Sequence, residues 1–245
     1  MRVTLQPAFV LHSRPYRDTS AIIEVFTAEH GRLSVVARGV RKQGKKGGRG
    51  GLLQPFVPLL ASFSGRAELK TLGAVESAGA PLVLVGERMF SGLYLNELLV
   101  RLLHRHDPQP EVFSAYEQTL EAISRGHDVA ACLRHFEIEL LRLLGYAMNL
   151  ETDAVGDAPL DPVQHYEYRP AQGAVPVQRE EGAAVFSGAE LLAIGRESFD
   201  DEAVLREAGR LLRHVIHYHL DGRELKTRKV LKDLHRGRLG GPPEK

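Results

Sequence analysis

The chain has a single cysteine, Cys132. One thiol excludes an intramolecular disulfide framework and, equally, a zinc cluster built from thiolates. Its helical surroundings make Cys132 a small core residue. Long apolar runs are also missing. No uninterrupted stretch is long enough to span a bilayer, and the opening MRVTLQP lacks the apolar core of a secretory signal. The expectation is a cytoplasmic protein with no membrane contact. Catalytic signatures are absent as well. There is no Walker A motif and no GxSxG elbow, and the scattered carboxylates form no recognisable acid/base couple. His214, His217 and His219 lie close together, yet no Asp, Glu or Cys at helical spacing completes a metal set. Nothing in the chain argues for an enzyme.

Acidic residues are missing from one region in particular. None occurs from Gly31 to Ala67, a window that carries eight Lys or Arg. The 245-residue chain nets only +1, so the remainder sums to −7. Within the window, Arg38, Arg41, Lys42, Lys45, Lys46 and Arg49 alternate with glycines. Such a segment is too rich in glycine to be helical and reads as a solvated loop, either aimed at a polyanion or simply solubilising. Residues 68 to 222 then carry 13 basic and 25 acidic side chains, and residues 223 to 245 carry eight and three. The order is basic loop, acidic body, basic tail.

Around the loop the texture is that of strands. Residues 6 to 12, 20 to 27 and 31 to 37 are short runs rich in Val, Ile and Phe, and His30-Gly31 supplies a hairpin turn. Residues 56 to 65 and 68 to 77 are two further strand-like runs. Five strands with a long excursion after the third suggest a small Greek-key barrel, either an oligonucleotide-binding (OB) fold or an SH3-like barrel. On the OB fold, nucleic acid lies across strands two and three, between the loops joining strands one to two and four to five. Those positions hold Arg14, Tyr16 and Arg17 in the first loop, Arg32 and Arg38 at the ends of strand three, and Arg66 in the last loop. Tyr16 is equally a rim residue with no ligand.

After Glu76 the pattern changes. Helices are expected over 87 to 105, 110 to 125 (opened by Pro110, closed by Gly126) and 128 to 144, with Leu133, Phe136, Leu140 and Leu144 on one stripe. Ser187 and Glu190 form a capping box, and Asp200-Asp201 open a long helix to His219. Residues 149 to 186, rich in proline and glycine, are expected to form a small insert in which VQHYEYRP and AAVFS are short strands. The fold class is therefore α+β and multidomain: barrel 1–79, helical bundle 80–148 with 187–236, insert 149–186 and a frayed tail 237–245. In the tail, Val230, Leu231 and Leu234 are expected to dock while Arg223, Lys226, Arg228, Lys229 and Lys232 stay solvated as a second basic patch.

Five strings in order resemble the RecO family of bacterial recombination mediators: AFVLHSRPYRDTSAIIEVFTAEHGRLSVVARGVRK, LLQPFVPLLASFSGRAELKTL, YLNELLVRLL, FEIELLRLLGYAMNL and HLDGRELKTRKVL. They span nearly the whole chain. The resemblance implies an OB barrel, a helical bundle and, in many members, a zinc-binding insert. It implies a non-enzymatic activity in DNA repair and recombination: binding single- and double-stranded DNA, annealing complementary strands, and helping RecR load RecA onto strands coated by single-stranded-DNA-binding protein (SSB). The implied partners are DNA, RecR and the SSB tail, and the implied place is the cytoplasm, at the nucleoid. One departure stands out. Where zinc-bearing members carry two CxxC pairs, this chain has ETDAVGDAP and GAVPVQRE. His165, Asp153 and Asp157 do not replace four thiolates, so an insert without zinc and a protein without cofactor are expected. Two other readings remain open: a scaffold whose basic surfaces bind acidic protein tails, and a nuclease.

Overall fold

The computed structural model describes residues 2–40, 49–179 and 181–230. Every second position along the strands faces inward, which places Val10, Ile23, Val25, Leu33, Val35, Leu59, Ala61, Phe63 and Leu72 in one buried cluster, and the strands that carry them close around it. They are β1 (Arg2–Tyr16), β2 (Ser20–Thr27), β3 (Gly31–Ala37), β4 (Leu59–Ser64) and β5 (Lys70–Ser77). The closed order is β1-β2-β3-β5-β4, with β3 and β5 parallel and every other pair antiparallel. That is an OB-like barrel. Closure depends on β1, which pairs with β2 along one part and β4 along another. Register shifts at Val3/Gln6 and Val10/His12 bend it between the two. The β2–β3 hairpin turns at Gly31 (φ 64°), where an added Cβ would lie 2.0 Å from the Asp107 carbonyl oxygen. Only glycine fits there.

One expectation needs correction. Arg49–Leu52, the end of the basic segment, is a turn of helix (α1) despite its glycines. Leu53 beside it is buried in the barrel cluster, and Gln54 donates its side-chain amide to the Gly50 carbonyl at 3.1 Å. Burial of Leu53 overrides weak helical propensity. Gly50 also lets the chain approach Val40, whose carbonyl oxygen would lie 2.8 Å from an added Cβ. Arg41, Lys42, Lys45 and Lys46 lie outside the described residues, as do Leu231, Lys232 and Leu234.

By compactness the chain divides at residues 126 and 127, whereas its texture changes at 79 and 80. One unit is Met1–Gly126 joined by the described part of the tail, 225–230; the other is His127–Glu224. In the first unit, α2 (Glu87–Leu102) and α3 (Pro110–Arg125) lie on the outside of the barrel. Phe9 and Phe26 meet Phe113 and Tyr116 with ring centroids 5.3 to 6.3 Å apart. The buried Tyr116 hydroxyl donates to Asn96 Oδ1 at 2.5 Å, and Asn96 Nδ2 donates to the Leu11 carbonyl at 3.1 Å. Burial without these bonds would be costly, so they fix how α2 and α3 seat on β1.

In the second unit, α4 (Val129–Leu143), α5 (Gly188–Gly195) and α6 (Glu202–His219) accompany a sheet of order β7-β6-β8. Each helix start is capped. Asp128 accepts from the Ala131 amide, Asp201 from Ala203, and Ser187 with Glu190 makes a reciprocal box. Strands β6 (His165–Arg169) and β8 (Val185–Ser187) lie where expected. Strand β7 (Gly173–Val177) was not foreseen, because Pro176 reads as a strand breaker. It is tolerated because β7 is an edge. Among the described residues, no helix is long and apolar enough to cross a membrane.

Candidate nucleic-acid interface

The outward face of β2 and β3 holds Ile22, Glu24 and Phe26 opposite Val36, Ser34 and Arg32. This face is covered at one end. Arg32 donates from Nε and NH2 to the Leu103 carbonyl at 3.2 and 3.0 Å and pairs with Glu24 at 3.1 Å. Arg105 reaches the other Glu24 oxygen at 2.8 Å and also bonds Ser34, which itself donates to Glu24. Burial raises the Glu24 carboxyl, but hydrogen bonds from Ser34 and Arg105, with the charges of Arg105 and Arg32, outweigh it and hold the group below its ordinary range. Arg32 is thus committed inside the protein. The Glu24 partner, eight positions away across the hairpin, was not foreseen, and nothing local in the sequence joins Arg32 to the Leu103 carbonyl, 71 positions on, or Arg105 to Glu24, 81 positions apart.

At its other end the face opens. Tyr16 closes β1 opposite Ser20, and Arg17 (φ 53°) turns the chain into β2 with its guanidinium 5.2 Å from the centre of the Tyr16 ring. Arg38 is exposed just beyond β3. Val35 and Val36 pair with Lys70 and Thr71, which brings the start of β5 alongside. Together Tyr16, Arg17, Thr19, Ser20, Val36, Arg38, Leu69, Lys70 and Thr71 line a cleft of about 470 Å³. Three of these residues are cations, and among the described residues no carboxylate lines the cleft.

Lys70 was missed by the sequence reading. It shares the inward parity of the buried Leu72 and is itself only 8% exposed. Its ammonium donates to the Ala67 carbonyl at 2.8 Å. The available signal was a lysine at an apolar register of ELKTLGAV. Of the remaining expected residues, Arg14 is exposed on β1 opposite Ile22, and Arg66 is exposed in the β4–β5 turn, outside the cleft lining. Arg49 lies on α1.

The second basic patch is divided between the units. Arg223 belongs to the second, and Lys226, Arg228 and Lys229 to the first. Leu225 is the buried anchor of this segment, and Val230, expected to dock, is 44% exposed. A turn of helix follows Leu225 and sends Val230 outward. Arg228 lies over the Tyr94 ring, 5.5 Å from its centre. Charge separates with the units: residues 127–224 carry 18 acidic side chains against nine Lys or Arg, a net of −9, which leaves +10 for the rest of the chain.

Acidic side chains of the insert are engaged in local hydrogen bonds. Asp153 Oδ1 accepts the Val155 and Gly156 amides at 2.8 and 2.7 Å, and Asp157 Oδ1 accepts the Thr152 hydroxyl at 2.8 Å. The amide of Gly156, then that of Val155, holds the Asp153 carboxyl below its usual range. Among the described residues no group of three or more His, Cys, Asp or Glu is arranged to hold a metal ion. With no cysteine between residues 149 and 186, the residues here do not fit the four-thiolate zinc that the resemblance implies.

Comparison with known proteins matches residues 1–80 to the family described as recombination protein O N terminal, and residues 85–229 to recombination protein O C terminal. Curated relatives named DNA repair protein RecO include one from Nitrosococcus oceani, 46% identical over 238 residues and 96% of each chain. One from Coxiella burnetii is 46% identical over 230 residues, 94% of this chain and 98% of the relative. One from Pseudomonas paraeruginosa is 45% identical over 225 residues, covering 92% and 93%.

Proposed function

The chain belongs to the RecO family of DNA repair proteins, and on that premise we propose that it binds single- and double-stranded DNA at the open end of its barrel. The observation that carries this reading is the cleft in which Arg17, Arg38 and Lys70 converge beside Tyr16 with no carboxylate among them. Cations in such a place neutralise phosphates and release counterions, giving an affinity that falls steeply with salt and is indifferent to sequence. The unit that carries them has a net charge of +10, and the other unit, at −9, repels a polyanion. The cations of the sequence 38–49 are proposed to add to this binding.

Annealing of complementary strands follows from this chemistry. A cationic surface that holds two strands screens their repulsion, and without a grip on the bases it leaves them free to pair. With RecR, the protein would then help load RecA on SSB-coated strands, as a non-enzymatic, cofactor-free accessory of the cytoplasm with a zinc-free insert. The acidic SSB tail is a suitable ligand for the remaining basic residues.

The test is a titration of labelled single strands and duplexes over a range of salt, paired with annealing rates. Replacing Arg41, Lys42, Lys45 and Lys46 by Ala should weaken binding, flatten the salt dependence and slow annealing. Unchanged affinity and slope would remove the loop from the interface. Binding of an SSB-tail peptide but not of DNA would favour a protein scaffold instead, and loss of DNA on incubation with magnesium would mark a nuclease.

A further inference from the structure

The cleft at the barrel end is lined by apolar groups that phosphate binding does not use. Leu69, 38% exposed, lines it together with Val36 and Tyr16. Resting on the DNA-binding reading above, we propose that the cleft is a site for one unpaired nucleotide, with its base against Leu69, Val36 and Tyr16 and its phosphate toward Lys70 and Arg38. Single strands then gain a contact that a duplex cannot make.

Three observations carry this. Lys70 is 8% exposed, and its ammonium has one neutral acceptor, the Ala67 carbonyl. Among the described residues no carboxylate pairs with it. A cation withdrawn from water and held by a single carbonyl is complemented by an entering anion. The cleft, at about 470 Å³, falls in the size range of small-ligand sites, roughly 300–1,000 Å³. Its mixed lining also matches a nucleotide and not a bare anion: it combines the cations Arg17, Arg38 and Lys70 and the hydroxyls of Thr19, Ser20 and Thr71 with an exposed leucine and an aromatic. In a duplex the faces of the bases are occupied by their neighbours, so only phosphates are offered. An unpaired base has both faces free, and sequence-tolerant stacking is how single strands are commonly held. The neighbouring cleft of about 230 Å³, lined by Ser13, Ile23, Val40 and Leu53 among others, has no cation in its lining and lacks this combination.

The experiment titrates the full chain with oligothymidylate, with an abasic strand of the same length, and with a blunt duplex, using wild type, Leu69→Ser and Lys70→Met. Wild type should prefer oligothymidylate over the abasic strand by about five- to tenfold. Leu69→Ser should bring that ratio close to one. Lys70→Met, which keeps the buried stem, should lower the single-strand salt slope by about 0.7. Melting curves confirm that each variant is folded. A Leu69→Ser protein that keeps the wild-type ratio, or a wild type with no preference, overturns the nucleotide site while leaving DNA binding intact. A wild type that binds none of the three ligands overturns the DNA reading itself.

Discussion

The carboxylate of Glu97 on α2 receives both the backbone amide of Thr227, at 2.9 Å, and its hydroxyl, at 2.8 Å, across 130 positions of sequence. The Lys226 amide adds a third bond at 3.0 Å. Glu97 therefore acts as an N-cap supplied from outside the helical turn, satisfying donors that a helix start leaves open. It returns the chain to the first unit after the second has been completed. Glu97→Ala should release the segment, at a cost of about 1–2 kcal/mol. Amide exchange at residues 226 and 227 and tryptic cleavage after Lys226 and Arg228 should both rise. Unchanged exchange would show that Leu225 alone holds the tail.

The Glu24–Arg32–Arg105 cluster makes a stability prediction that separates Arg32 from DNA binding. Glu24→Ala leaves two arginines facing each other without their carboxylate, and the variant should lose about 2 kcal/mol. Arg32→Ala should also lower the melting temperature, and the salt slope of DNA binding should stay at the wild-type value. A reduced slope with unaltered stability would place Arg32 on the DNA instead.

Acid should unfold the first unit through the same groups. Burial raises the Glu24 and Glu97 carboxyls, but bonds from Ser34 and Arg105 to the one, and from the Thr227 and Lys226 amides to the other, outweigh it and leave both below their usual range. A depressed carboxylate contributes stability that is complete above its unfolded pKa of about 4.3 and is lost as pH falls through the folded value. Melting temperatures should therefore decline below about pH 4, and Glu24→Gln should show a shallower decline. Parallel acid limbs for variant and wild type would contradict this.

In the insert, Asp153 and Asp157 are spent in hydrogen bonds to the Val155 and Gly156 amides and the Thr152 hydroxyl. Chelator should leave the melting temperature unchanged, and elemental analysis should find no stoichiometric zinc. Asp153→Ala, which frees the Val155 and Gly156 amides, should lower the melting temperature slightly. One tightly held zinc per chain would sink the idea.

What could be read from the sequence divides along physical lines. The strands 20 to 27 and 31 to 37 and the helix 110 to 125 match the structure end for end, because runs of Val, Ile and Phe, the His30-Gly31 turn, Pro110 and Gly126 are local signals. The capping box at Ser187 was legible for the same reason. Long-range choices were not. Nothing local says that Glu24 will meet Arg105, that Lys70 will close the barrel end, or that α2 and α3 lie on the barrel. Those follow from closure of the sheet, which brings β3 and β5 side by side. Composition likewise located the acid-free window but could not tell that Arg32 is bound internally while Arg38 stays exposed.

The most direct measurement is photocrosslinking of the full chain to a bromodeoxyuridine-substituted single strand, with crosslinked peptides mapped by mass spectrometry. Crosslinks should concentrate in peptides that contain Tyr16, Arg38 or Leu69, and should fall in Leu69→Ser. Crosslinks gathered in residues 127–224, with the barrel peptides unmodified, would contradict the assignment of DNA to the end of the barrel.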